Sequence, residues 1–152
     1  VFKLRPDAVW SDGTPLTAGD FVYSWTRMVD PATASNYAFI LWPITDAERI
    51  TKGELPKERI GAQAVDDRTL KVTLRSPTPY FLQMLMHHSA YPVPRQAIEK
   101  FGREWTRPGN IVSNGAYMIQ EWVPQGHIKA VRNPRFRDAA EVRIDTVFYY
   151  PV

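Results

Sequence analysis

The sequence predicts a mixed α+β chain, and three observations predict it. A segment near the start carries apolar residues on a helical period. Segments at both ends, and one in the middle, alternate apolar and polar residues as strands do. Thirteen prolines stand against eight glycines, and each interior proline removes a backbone donor, so long helices throughout are excluded.

The elements follow in order. Phe2 and Leu4 alternate with Lys3 and Arg5, which predicts a strand over Val1 to Arg5. Asp12-Gly13 with Pro15 close behind is a turn, because Asp bonds its own backbone and Gly accepts positive φ. Thr17 stands where a helix N-cap should, with Asp20 three residues on. The helix Ala18 to Val29 follows, with Phe21, Val22, Trp25, Met28 and Val29 as one apolar stripe. Asp30-Pro31 ends it, since a residue before proline avoids the helical region.

Thr33 to Trp42 reads as a short helix and a loop, and Asp46 to Lys52 as a second short helix closed by Gly53. Gly61 to Val65 and Thr69 to Arg75 predict a hairpin around Asp66-Asp67-Arg68. Leu70, Val72 and Leu74 form its core face, with Val72 central. Thr69, Lys71, Thr73 and Arg75 form the other face. Pro79 opens a helix expected to run through Met86, burying Phe81, Leu82, Leu85 and Met86. Arg95 to Phe101 is a short helix ended by Gly102, and Thr106 to Asn114 is loop. Strands are predicted over 115–122, 127–133 and 143–150.

Composition excludes several classes. Hydrophobic residues make up 44% and charged residues 23%, too apolar for a disordered chain. No apolar run reaches the length of a membrane-spanning helix. The net charge is +3 with basic and acidic residues interspersed, which gives nucleic acid no concentrated basic face. There is no cysteine, hence no disulfide and no thiolate metal site. The chain begins at Val1 and both ends read as strand, from which a piece of a longer protein is expected. Absence of a signal peptide then says nothing about location.

No catalytic constellation emerges. Adjacent His87 and His88 on a helix would diverge by about 100° and could not share a metal. They read as partly buried residues at a helix end, and His127 as a surface strand residue. There is no G-x-S-x-G elbow and no glycine-rich phosphate loop. Asp66 and Asp67 could pair with Glu48 as acid and base, but a hairpin turn explains the first two. The nineteen aromatics (five Trp, seven Tyr, seven Phe) remain. Phe21 and Trp25 are core by spacing. Tyr37, after Ala34-Ser35-Asn36, lies off every apolar stripe. Core packing and an aromatic wall for a ligand both stay open for it.

Several segments then come in a fixed order. They are Phe2-Lys3-Leu4-Arg5, Trp10-Ser11-Asp12-Gly13-Thr14-Pro15-Leu16-Thr17-Ala18, Asp20-Phe21-Val22-Tyr23-Ser24-Trp25 and Asp30-Pro31-Ala32-Thr33-Ala34-Ser35. Pro79-Tyr80-Phe81, Pro92-Val93-Pro94, Lys100-Phe101-Gly102, Asn110-Ile111-Val112-Ser113-Asn114-Gly115-Ala116-Tyr117 and Arg132-Asn133-Pro134 follow. Each motif is weak alone; the ordered set, running over essentially the whole chain, is specific. It resembles the periplasmic oligopeptide-binding proteins of bacterial peptide ABC importers, within the peptide- and nickel-binding class of solute-binding proteins.

The resemblance implies a fragment of a periplasmic-binding-protein-like fold. Residues 1–112 would be the extra domain of this class, with helices and a hairpin. Residues 113–152 would be strands of the first ligand-binding lobe. It implies a secreted protein, periplasmic or at the cell surface, that encloses extended peptides between two lobes without catalysis. Main-chain hydrogen bonds and hydrated pockets would hold the peptide with little sequence preference. The implied partners are oligopeptides and the membrane permease of an ABC importer, with no nucleic acid, no cofactor, no metal, and a monomeric state. Tyr37 matches a family tyrosine that touches the peptide, and Asn36 and Ser35 are expected beside it. The sequence departs from the family at Arg137, where tryptophan is usual after Phe136, and at Asn36, where proline is common. Two alternatives stand: a binder of dipeptides or murein peptides, and a stand-alone interaction module with no small ligand.

Overall fold

The computed structural model describes residues 1–151. Its helices and antiparallel sheets make the α+β architecture that the patterning predicts. The chain divides into two compact units, Val1–Pro6 with Thr17–Val93, and Asp7–Leu16 with Pro94–Val152. The division into compact units falls at Val93/Pro94, and the turn segment Asp7–Leu16 joins the later unit. Local hydrogen bonding explains this. The Ser11 N–H donates to the Ser113 carbonyl at 2.7 Å, and the Arg135 guanidinium donates to the Ser11 carbonyl at 3.0 Å. Contacts made across so many residues of chain have no sequence pattern.

The first unit is organised by α1 (Ala18–Val29), whose limits are those the sequence predicts. The Asp20 carboxylate accepts the Thr17 N–H at 2.8 Å and its hydroxyl at 3.2 Å, which fixes the first turn. The apolar stripe packs on a sheet of β1 (Phe2–Lys3), β3 (Thr69–Val72) and β2 (Ala62–Asp66), in the order β1-β3-β2, all antiparallel. Trp25, Met28 and Val29 are buried with Leu41, Ile44, Ile50, Ile60 and Leu70. Leu41 and Ile44 flank the turn after a 3₁₀ helix (Ala38–Leu41), and Ile50 lies in α2 (Ala47–Thr51).

Two sequence expectations need correction here. Leu70, not Val72, is the deep position of the hairpin face. Leu70 is 2% exposed, while Val72 and Leu74 are only partly buried. Thr69, expected on the outer face, is buried as well. β3 is the central strand, so Lys3 of β1 and Asp66 of β2 cover Thr69, whose hydroxyl bonds to both.

The helix expected over Pro79 to Met86 shrinks to α3 (Phe81–Met84). Phe81 is buried and Leu85 packs on the core, but Leu82 is 63% and Met86 74% exposed. A single turn can face only one i, i+4 pair inward. Gly61 sits where the Thr45 and Thr73 backbones meet. Its N–H donates to the Thr45 carbonyl and its carbonyl accepts the Thr73 N–H. A Cβ there would stand 2.9 Å from the Thr73 oxygen, so only glycine permits this approach.

Asp30 closes α1 and opens the next turn. Its carboxylate accepts the Ala32 N–H at 2.9 Å and the Lys57 ammonium at 2.7 Å. The bond from Lys57, then the Ala32 N–H, holds the Asp30 carboxyl below its usual 3.8, and the same pair raises Lys57. A carboxyl depressed in the folded state stabilises it above about pH 4, and that contribution is lost as pH falls through the folded pKa. Asp30→Asn is therefore expected to cost up to about 1 kcal/mol at neutral pH, where a partly exposed ion pair and a cap are both weakened. The difference from the parent chain should shrink at about pH 3. Urea melts at the two pH values check it.

The second unit carries α4 (Arg95–Phe101), as predicted, and a sheet of β4 (Tyr117–Val123), β5 (His127–Arg132) and β6 (Thr146–Tyr149). The order is β4-β5-β6, antiparallel throughout, with Ala130 opposite both Ile119 and Val147. Asp12 accepts the Thr14 N–H at 2.9 Å while Gly13 takes φ +91°, the turn that Asp-Gly signals. After β5, Asn133 is wholly buried. Arg137 lies 6.0 Å from the Phe136 ring, a cation–π contact where the family resemblance implies an aromatic pair.

Candidate functional site

The site is assembled from α1 outward, within the first unit. From the C-terminal end of α1, Asp30 leads into a 3₁₀ turn (Pro31–Thr33). Ala34 then takes a left-handed conformation, φ 51° and ψ 42°, which reverses the chain. A non-glycine residue there costs on the order of 1 kcal/mol, which its surroundings must offset. Ser35, Asn36 and Tyr37 follow. The Ser35 hydroxyl accepts the Tyr37 N–H at 3.3 Å, and Tyr37 starts the 3₁₀ helix that buries Ala38 and Leu41.

The middle of α1 holds the other side. The Trp25 indole N–H donates to the Ala90 carbonyl at 2.8 Å, and Ser24 Oγ accepts the Val93 N–H at 2.7 Å. These bonds seat the segment that carries His87 and His88. His87 is the extended residue before a 3₁₀ turn (His88–Ala90), with Nδ1 2.7 Å from Ser89 Oγ. The two histidines therefore do not diverge as they would on the longer helix expected from sequence. Their ring centroids are 4.2 Å apart and 31° from parallel.

Tyr37 meets both. Its ring centroid lies 4.9 Å from that of His87, 5.9 Å from His88 and 6.2 Å from Phe39. Tyr37 is 46% and Phe39 49% exposed. An exposed cluster of aromatic rings on neutral loop backbone can stack against a planar or apolar group. Of the three residues singled out from the sequence, Tyr37 presents its ring in this cluster, Asn36 is exposed beside it, and Ser35 is spent on the loop itself. Sequence reasoning missed His87, His88 and Phe39 as neighbours of Tyr37. The His-His pair was visible, but some fifty positions away, and only the fold of α1 joins the two segments.

Concavities among the described residues lie elsewhere. One of about 160 Å³ in the first unit is lined by Trp42, Ile44, Asp46, Glu48, Arg49 and Arg75. One of about 270 Å³ in the second is lined chiefly by Trp122, His127, Ile128, Tyr149 and Tyr150. Neither includes the three residues. Among the described residues no group of three or more His, Asp or Glu side chains could hold a metal ion.

The rings stand together on an α+β scaffold, and comparison with known proteins gives the class of the chain. The chain belongs to the family of bacterial extracellular solute-binding proteins, family 5, whose middle region matches residues 1–152. Among its relatives is the periplasmic oligopeptide-binding protein OppA of Escherichia coli, 52% identical over 99% of this chain and 28% of that protein. The probable deoxycholate-binding periplasmic protein YgiS of Escherichia coli is 44% identical over 98% of this chain and 28% of that protein. A solved structure of Haemophilus influenzae OppA in complex with the peptide RPPGFSPFR superposes with a TM-score of 0.96. It is 37% identical, over 99% of this chain and 30% of that one. The chain thus spans under a third of the length of the relatives it matches.

Proposed function

We propose that the chain supplies one section of a peptide-capturing solute-binding protein of an ABC importer, working in the periplasm or at the cell surface. The observation that carries this reading is the 52% identity, over 99% of the chain, to a relative named as a periplasmic oligopeptide-binding protein. The site supports it: an exposed cluster of rings suits varied peptide side chains. On this reading Tyr37 stacks against the peptide, Asn36 offers its amide, and Ser35 holds the loop. On the same reading residues 1–112 form the extra domain of the class, and residues 113–152, with strands β4 to β6, belong to the first lobe. The protein binds as a monomer, without catalysis, cofactor, metal or nucleic acid, and delivers oligopeptides to a membrane permease.

Peptide association has fixed costs of several kcal/mol, and the reading places most contacts on two closing lobes. The chain by itself should therefore bind peptides no tighter than about millimolar, near −4 kcal/mol. The site is tested by grafting the chain in place of the equivalent segment of the Haemophilus influenzae relative and titrating RPPGFSPFR by calorimetry. Tyr37→Ala in that graft should weaken binding by about 1–2 kcal/mol, the scale of a lost aromatic contact. Its melting temperature should hold, because Tyr37 is half exposed. Unchanged affinity would remove Tyr37 from the site. The 44% identity to a probable deoxycholate-binding protein favours a second reading, a steroid-like ligand on the same rings. Displacement of the peptide by deoxycholate, at lower concentration than by a second peptide, would establish that instead.

A further inference from the structure

We infer that Lys57 is a positioning residue: its ion pair with Asp30 fixes the loop that aims Tyr37 at His87. The functional meaning rests on the reading of Tyr37 as a ligand residue, but the positioning itself is a property of the chain. The loop from Pro31 to Asn36 is exposed or half-buried throughout, so packing does little to order it. Its far end is anchored by Ala38 and Leu41 in the core. Its near end depends on Asp30, where four bonds converge. The Asp30 N–H donates to the Thr26 carbonyl, its carbonyl accepts the Thr33 N–H, and its two carboxylate oxygens take the Ala32 N–H and the Lys57 ammonium.

Lys57 comes from a separate 3₁₀ turn (Lys57–Arg59), 27 residues away in sequence, so it ties the loop to another part of the unit. The Lys57 side chain is 48% exposed but that of Asp30 only 19%, so the carboxylate is the more shielded partner. Beyond the clamp, Ala34 holds a left-handed conformation that alanine does not favour. Loosening the first turn removes what holds Ala34 there. The chain would then relax, and the Tyr37 ring would leave its place 4.9 Å from His87.

The test uses the full chain and no peptide, so failure of the peptide-binding reading cannot be mistaken for failure of this one. The readout is the set of nuclear Overhauser cross-peaks between the ring protons of Tyr37 and His87 in the parent chain, Lys57→Met and Lys57→Arg. Circular dichroism and a thermal melt confirm that each variant is folded. The expected result is loss of the cross-peaks in Lys57→Met and their return in Lys57→Arg, which keeps the charge and the reach to Asp30. A contribution to stability alone would lower the melting temperature and leave the ring contacts of the folded state intact. Cross-peaks that persist in Lys57→Met overturn the inference, and so does their absence from Lys57→Arg.

Discussion

Replacing Trp25 by alanine is expected to destabilise the chain by about 3–5 kcal/mol, at the upper end of large-to-small core changes. Trp25 is 2% exposed at the centre of the α1 stripe, with the Phe21 ring edge-on at 6.0 Å. Removing the indole leaves a cavity between α1 and the sheet, and it also strands the buried Ala90 carbonyl, which accepts the indole N–H. An unsatisfied buried acceptor adds on the order of 1–3 kcal/mol. Trp25→Phe shrinks the cavity but still removes the donor, so it weighs the second effect more heavily. It should cost less than alanine yet still measurably more than 1 kcal/mol, on the order of one unsatisfied group. Urea melts followed by far-ultraviolet circular dichroism measure both. A loss below about 1 kcal/mol for alanine would mean that the stripe is not the core of this unit. The same substitution should disturb the histidine pair, because the Ala90 bond seats the segment that carries it.

The second large effect is expected at Asn133, in the other unit. Asn133 has no exposed surface, and every polar group it owns is engaged. Its Nδ2 donates to the Gly115 carbonyl at 2.9 Å and its Oδ1 accepts the Arg135 N–H at 3.0 Å. Its backbone N–H donates to the Ala116 carbonyl at 2.8 Å. The side chain thus staples the start of β4 to the end of β5, where the strands part and the ladder no longer pairs these groups. Asn133→Ala leaves two backbone groups without partners and should cost about 2–4 kcal/mol. Asn133→Asp keeps the acceptor for Arg135 but turns a carboxylate on the Gly115 carbonyl, so it should be no milder. A melting temperature within about a degree of the parent for both variants would show that water replaces the staple, since each kcal/mol should move it by several degrees.

These residues also show how much the sequence could tell. The α1 stripe was legible to the residue, because one helix face carries Phe21, Val22, Trp25, Met28 and Val29 and both ends have caps. The hairpin was legible as alternation, but the ranking of Leu70 over Val72 was not. Depth depends on β1 pairing Phe2 with Leu70, a partnership between distant segments. The helix from Pro79 was over-extended because its apolar residues satisfy a helical period over a length that the chain does not keep. At the site, Tyr37 stood out by lying off the stripes, and Ser35 and Asn36 by adjacency. Helical spacing sets the rings of His87 and His88 apart, whereas the extended backbone at His87 brings them together. The Asp30-Pro31 step signals a helix stop; that its carboxylate also captures Lys57 is tertiary and leaves no local mark.

If this chain supplies a working section of a peptide-capturing protein, it should serve in place of the same section of a relative. The most direct measurement is calorimetric titration of RPPGFSPFR into the Haemophilus influenzae relative whose equivalent segment has been replaced by residues 1–152, beside the intact relative and the chain by itself. The folded graft is expected to bind the peptide within about tenfold of the intact relative, a difference of roughly 1.4 kcal/mol, while the chain by itself gives no titration below millimolar concentrations. A graft that melts as a folded protein but does not bind the peptide would contradict it, and so would micromolar binding by the chain by itself.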